Sequence, residues 1–277
     1  MRFARPAAAF ALLATLAACG ESAAPAPTAA AARPHDIVNG VPTGNSYANV
    51  GALLYDFNAN GKVDGEDALC TGSLISPTVF LTAAHCVEFL PSNAQLYVSF
   101  DPTLMPAPAH YISAKAFHYD PLYGHDQADL HDLAVVILSD RSTRGMTPLK
   151  LPPAGYLDGL AAKGGLANQL FVNVGYGTSN TRTGVPQYPY DGIRKTSKSE
   201  FMALQPSWLG LLINVNATGQ GGDCYGDSGG PKFLDGNPDM VVATVTTGDT
   251  PCRATSWDYR LDTPSARAFL GQFVALP

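Results

Sequence analysis

Short apolar runs recur between residues 37 and 277, each broken by glycine, proline or asparagine. Residues 50–55, 72–75, 79–82, 95–100, 133–138, 170–174, 211–215 and 241–247 are all of strand length, and many carry β-branched side chains. Such runs, bounded by turn residues, predict strands of a sandwich or barrel. The period changes near the C-terminus. Thr263 followed by Pro264 reads as an N-cap with proline in the first helical position. Ala266, Phe269, Leu270 and Phe273 then fall at i, i+3, i+4 and i+7, one apolar helical face. A single terminal helix packed on an all-β protein is the expectation. The proline-rich stretch 151–156 (LPPAGY) divides the folded part into residues 37–152 and 153–277.

Composition adds a compartment to this picture. Hydrophobic residues make up 46% of the 277 and charged residues 14%, enough for a large core in one or two domains. The 27 glycines and 22 prolines suit a turn-rich chain. A net charge of −6 argues against a nucleic-acid surface, which needs clustered Lys and Arg. Arg2 and Arg5 precede an apolar stretch, residues 7–18, too short for a permanent membrane span. Residues 1–18 therefore read as an export signal. Leu16-Ala17-Ala18-Cys19 resembles the lipobox of bacterial lipoproteins, which implies cleavage before Cys19 and a lipid on its sulfur. An ordinary signal with an incidental cysteine is the alternative. Either way the chain is exported, held at the outer membrane or in the periplasm through Cys19, or secreted after cleavage. Residues 19–36 are Ala- and Pro-rich with almost no large apolar side chain, and read as a tether. In an oxidising compartment the other four cysteines can form two disulfides.

The catalytic signal is CYGDSGGP, residues 224–231. It contains Gly226-x-Ser228-x-Gly230, which also fits an α/β-hydrolase nucleophile elbow. That fold needs its histidine after the serine. All six histidines (His35, His85, His110, His118, His125 and His131) precede Ser228, so the elbow lacks a base. The opposite order works. His85 ends the apolar run of FLTAAHC, and Asp132 heads the run of HDLAVVIL. With IVNG, CTGSLI, TAAHC, HDLAVV, GYG, GDSGGP and the terminal helix in sequence, residues 37–277 resemble the trypsin/chymotrypsin family of serine endopeptidases.

The resemblance implies two antiparallel six-stranded β-barrels packed together, a C-terminal α-helix, and a site between the barrels that acts on protein or peptide substrates. His85 is the implied base, Asp132 its orienting partner and Ser228 the nucleophile, which needs an adjacent base because a serine hydroxyl is weakly nucleophilic at neutral pH. The N–H groups of Gly226 and Ser228 are the implied oxyanion hole. Cys70 is expected to bond Cys86, and Cys224 to bond Cys252. Ile37 and Asp227 are the implied activation ion pair, formed after cleavage at Asp36–Ile37. Asp36 is not basic, so a protease other than a tryptic one is implied. No cofactor is required, and the protein is expected to be a monomer. A catalytically silent binding module and an esterase-like hydrolase are the rival functions.

Three features depart from the family. Gly222 stands where the family places the floor of the specificity pocket, with Asp223 beside it; Thr246 and Gly248 belong to the wall. Trp257 occupies a place that usually holds glycine. This predicts a shallow pocket for small side chains, with an outward-facing Trp257 as the alternative. Residues 56–67 (DFNANGKVDGED) place oxygen side chains at Asp56, Asn58, Asn60, Asp64 and Asp67 around Gly61, compatible with a structural calcium loop or with a polar hairpin. His118, Asp120, His125, Asp126, Asp129 and His131 match no strong metal pattern and read as a solvated acidic loop bordering the cleft.

Overall fold

The computed structural model describes Met1 and residues 37–139, 141–179 and 184–277. The export signal, the tether, Cys19 and Asp36 lie outside the described residues. Among the described residues the first element is β1 (Val41–Pro42), followed by β2 (Val50–Tyr55), β3 (Ala68–Ser76), β4 (Val79–Thr82), β5 (Leu96–Ser99), β6 (Ile112–Ser113), β7 (Ala116–Tyr119) and β8 (Ala134–Ile137). All but β1 form one sheet in the order β6-β5-β2-β3-β4-β8-β7. Its two end strands are consecutive in the chain. Between them, Ala114 N–H donates to Leu96 O and Lys115 N–H to Ile137 O, both at 2.8 Å. Residues 112–119 therefore close the sheet, pairing β5 with their first half and β8 with their second. Counted as one strand, they make this a six-stranded barrel.

The second half holds α1 (Tyr156–Ala162), β9 (Leu170–Gly175), β10 (Lys195–Leu204), β11 (Trp208–Leu212), α2 (Val215–Thr218), β12 (Pro231–Leu234), β13 (Asn237–Gly248), β14 (Thr255–Arg260) and α3 (Pro264–Leu270). The order is β1-β10-β11-β14-β13-β12-β9, and β9 pairs with β10 to close the ring. Six strands again make the barrel, and β1 from the other half adds a two-residue seventh. Closure removes the free edges that would template association.

Five core clusters hold the described residues together, three of them large. One fills each barrel, around Phe80 and Leu74 in the first and Phe171 and Leu211 in the second. The third joins them, and runs from Val50, Leu81 and Val135 through Val174, Phe233 and Tyr259 to Ala266, Phe269 and Leu270 of α3. Helix α3 starts as its sequence dictates: the Thr263 side chain accepts from Ala266 N–H and Pro264 takes the first turn. A buried guanidinium also bridges the halves. Arg194 donates to the carbonyls of Val50 and Phe100 at 2.9 Å and to those of Gly44 and Ser46.

The structure corrects the sequence expectations in places. Among the described residues there are two short α-helices besides the terminal one: α1 begins where a linker was expected, and α2 begins at Val215, after a strand that ends at Leu212. The first half of strand β10 (KTSKSEFMAL) has no apolar run to announce it. Its inward positions Lys195, Ser197 and Ser199 are polar and buried. Ser197 and Ser199 both accept from the Asn173 amide, at 3.0 and 2.8 Å.

Candidate active site

Two elements of the first barrel bring a base and a carboxylate together. His85 lies in a short 3-10 turn, Ala84–Cys86, directly after β4. Asp132 precedes β8, the strand paired with β4. Both carboxylate oxygens of Asp132 serve His85: Oδ1 accepts from the backbone N–H at 2.9 Å, and Oδ2 lies 2.8 Å from Nδ1. Asp132 is fully buried, whereas the His85 side chain is partly exposed. This contact puts the Nδ1 proton on the aspartate side and leaves Nε2 as the acceptor.

Ser228 comes from the second barrel, in the turn before β12, and shares a cavity of about 420 Å³ with His85. Gly226 has φ +94°, and Gly229, the residue after the serine, has φ +74°. Both values lie in the region that favours glycine. A Cβ on Gly229 would also come within 2.2 Å of Thr82 Oγ1. Among the described residues, none accepts from the N–H of Gly226 or of Ser228, so both are free for a substrate oxygen.

A residue the sequence reading missed holds this loop from the opposite barrel. Thr71 of β3 is fully buried. Its N–H donates to Ser228 O at 2.9 Å, its hydroxyl donates to Gly226 O at 2.9 Å, and that hydroxyl accepts from Tyr176 N–H at 3.1 Å. Its position next to Cys70 was the only available signal. The disulfides are Cys70–Cys86 and Cys224–Cys252, with Cα separations of 6.3 and 5.4 Å. The first fixes the His85 turn to β3. Replacing Cys70 and Cys86 together by serine is expected to lower unfolding free energy by about 3 kcal/mol, the scale of a loop of this size, as read from denaturant titration.

Asp227 is fully buried in a cage of backbone. Its oxygens accept from Gly177 N–H at 2.8 Å and Cys224 N–H at 2.9 Å. A Cβ on Gly175 or Gly177 would come within 2.2 or 2.4 Å of those oxygens, which explains the GYG motif. Burial, and then the neighbouring Asp223 carboxylate, push the Asp227 carboxyl up to about 8. Ile37 is also fully buried, and Val38 pairs antiparallel with Gly222. The φ of Ile37 is +52°, a strained value for a β-branched residue.

The cavity walls differ from expectation. Asp223, Thr246 and Gly248 line it, together with Ile213, Val245, Thr255 and Ser256. Gly222 does not. A Cβ there would meet Ile213 Cγ2 at 2.0 Å, so Ile213 covers the position expected to form the floor. Trp257 is outside the cavity as well. Its ring packs over Gly210, where a Cβ would come within 2.8 Å, and it lines a separate pocket with Trp208, Gln205 and Thr247. Trp257 thus takes the outward-facing place of the alternative reading and does not line the cavity.

The other polar clusters have structural uses. In residues 56–67, Asp56 accepts from Asn60 and Gly61 N–H, Asn58 from Asn60, Asn60 from Lys62, Asp64 from Glu66 and Asp67 from Asp64. The segment joins β2 to β3, and its oxygen side chains accept from its own backbone. Among the described residues, three or more His, Cys, Asp or Glu ligand atoms converge only at Cys70, His85 and Cys86, and both cysteines are in the disulfide. The loop before Asp132 is not simply solvated. His131, at φ +58°, is held between Asp120 (2.9 Å) and Asp129 (3.6 Å), and Asp129 also accepts from the Tyr259 hydroxyl. His118 instead stacks on Phe273.

The family model described as Trypsin matches residues 51–268. The chain is similar to glucanase inhibitor protein 4 of Phytophthora infestans, at 26% identity over 218 residues, 72% of this chain and 76% of that protein. It is similar to a collagenase of Hypoderma lineatum, at 27% over 190 residues, 64% of this chain and 65% of that one. Among solved structures, HL collagenase superposes with a TM-score of 0.61 at 18% identity, over 85% of this chain and 97% of that one, a likeness of fold.

Proposed function

Because the chain belongs to the trypsin family, we propose that it is a serine endopeptidase that cleaves peptide bonds through an acyl-enzyme. The observation that carries this reading is the buried Asp132 carboxylate clamping His85 by two hydrogen bonds, with Ser228 on the same cavity. In the proposed reaction, His85 Nε2 takes the Ser228 proton as the hydroxyl oxygen attacks the scissile carbonyl, then gives it to the leaving amine. Asp132 holds the tautomer and stabilises the imidazolium. The free N–H groups of Gly226 and Ser228 receive the oxyanion. Water then repeats the sequence to release the acid. No helix among the described residues is long and apolar enough to cross a membrane. With two disulfides, an exported protein, anchored through a lipid on Cys19 or secreted, is the proposed setting.

Activation follows from the same site. Asp227 is a buried carboxylate whose only hydrogen-bond donors among the described residues are two backbone N–H groups. A free amine at Ile37 would give it a counter-ion. Cleavage at Asp36–Ile37 also frees the φ of Ile37 and releases strain on the order of 1–3 kcal/mol. If Cys19 carries the lipid, the same cut detaches the enzyme from its anchor.

A second reading has one observation in its favour: a relative that covers most of the chain is named an inhibitor protein. Here it would be a trypsin-fold module that binds a protein without cutting it. A fluorophosphonate probe with intact-mass readout separates the two. The form beginning at Ile37 is expected to take up one probe per chain at Ser228 and to cleave peptides. A correctly processed chain that never labels supports the binding module. Full labelling of a form that still carries residues 19–36 refutes activation by cleavage.

A further inference from the structure

The lining of the cavity beside Ser228 includes a carboxylate with its own buried counter-ion. Asp223 lines the cavity and is 6% exposed. Its Oδ2 accepts from the Lys232 ammonium, and from the Ser256 hydroxyl at 2.8 Å. Its Oδ1 takes no hydrogen bond from a described residue. Lys232 projects from β12 into the second barrel and is fully buried. It donates to Asn173 Oδ1 at 2.7 Å and lies 3.5 Å from Oδ1 of Asp258, a second fully buried carboxyl.

Counting protons constrains the charge of this group: the two carboxyls share one proton through Ser256. Ser256 Oγ is 2.8 Å from Asp223 Oδ2 and 2.9 Å from Asp258 Oδ1, yet it has one proton to donate. A proton on Asp258 satisfies both contacts. Burial pushes the Asp258 carboxyl up to about 7 against the Lys232 ammonium, which lowers it, and the Asp223 charge adds to the rise. That leaves one negative charge on Asp223 and one positive charge on Lys232, a neutral set. A guanidinium or ammonium entering the cavity would lose its hydration and meet a carboxylate already paired, so its desolvation is poorly offset. The cavity offers a neutral side chain Ile213, Val245 and the Cys224–Cys252 disulfide in its walls, and Asp223 Oδ1 as an acceptor not used by a described residue.

We propose that Lys232 determines the specificity of this cavity: by neutralising Asp223 from behind, it makes the pocket select large neutral side chains with a hydrogen-bond donor at the tip, tyrosine first, over arginine and lysine. This rests on the endopeptidase reading, and departs from the small-residue pocket that Trp257 suggested. Peptide anilides that differ only in the residue before the scissile bond test it. In the wild type, kcat/KM for tyrosine is expected to exceed that for arginine and lysine at least tenfold; the reverse order, or equality, overturns the proposal. In Lys232→Met the arginine-to-tyrosine ratio is expected to rise at least tenfold, and an unchanged ratio in a cooperatively melting variant overturns it. Should that variant not fold, Asp223→Asn/Lys232→Met removes both charges and is expected to keep the tyrosine preference; a shift to arginine overturns the assignment. Benzamidine binding by calorimetry needs no turnover. Binding at least tenfold tighter in Lys232→Met than in wild type upholds the charge assignment even if no peptide is cut, an outcome that removes the endopeptidase reading alone. Equal binding overturns the assignment.

Discussion

Replacing Ser228 by alanine is expected to lower kcat for peptide hydrolysis roughly 10⁶-fold, the scale seen when a triad loses its nucleophile. That corresponds to about 8 kcal/mol of transition-state stabilisation. The substitution removes one oxygen and leaves the loop intact, since the contacts that shape it run through the backbone. Thr71 N–H still reaches the carbonyl of residue 228, Thr71 Oγ1 still reaches that of Gly226, and both oxyanion donors are main-chain groups. Folding is therefore expected to be unchanged, and residual turnover to reflect binding and the oxyanion site alone. Single-turnover kinetics on material with a wild-type melting curve checks it. More than a hundredth of wild-type kcat in such a preparation would assign the nucleophile elsewhere.

Asp132→Asn is expected to cost roughly 10⁴-fold in kcat with little change in KM, again the scale of family triads. The reason lies in the two hydrogen bonds. Both carboxylate oxygens accept from His85, one from the main chain at 2.9 Å and one facing Nδ1 at 2.8 Å. An asparagine has a single acceptor oxygen and an amide that only donates. If the amide faces Nδ1, the ring proton moves to Nε2 and His85 can no longer accept from Ser228. If it faces the main-chain N–H, two donors oppose each other in a fully buried place. A variant with normal melting and more than a tenth of wild-type kcat would remove Asp132 from the mechanism.

Much of the strand pattern was legible because apolar runs are what the outer walls and inter-barrel core require. The 50–55 and 79–82 runs coincide with β2 and β4, and the Thr263-Pro264 cap marks the start of α3. The first half of strand β10 was not legible, since its inward side chains belong to a polar interior shared with Asn173 and Lys232. Periodicity reads a buried face as apolar, and a buried hydrogen-bond network is silent to it. The site divides the same way. His85, Asp132 and Ser228 stand in motifs with a fixed order. Thr71, Ile213, Lys232, Ser256 and Asp258 act through contacts across strands far apart in sequence, which no local pattern encodes. Trp257 was ambiguous in the chain, facing either the cavity or outward, and the pleat of β14 turns it outward.

Thr71 bears on whether this molecule is two parts or one. It belongs to β3, yet it holds the two carbonyls that shape the turn around Ser228. Strand β1 likewise precedes the first barrel in sequence and pairs in the second barrel's sheet. Each half thus supplies the scaffold for the other half's chemistry. A chain split at residues 152–153 would yield two fragments that must dock before either the nucleophile turn or the β10 edge is complete. Activity regained on mixing them would report assembly itself, which makes the pair a split reporter rather than two transplantable modules.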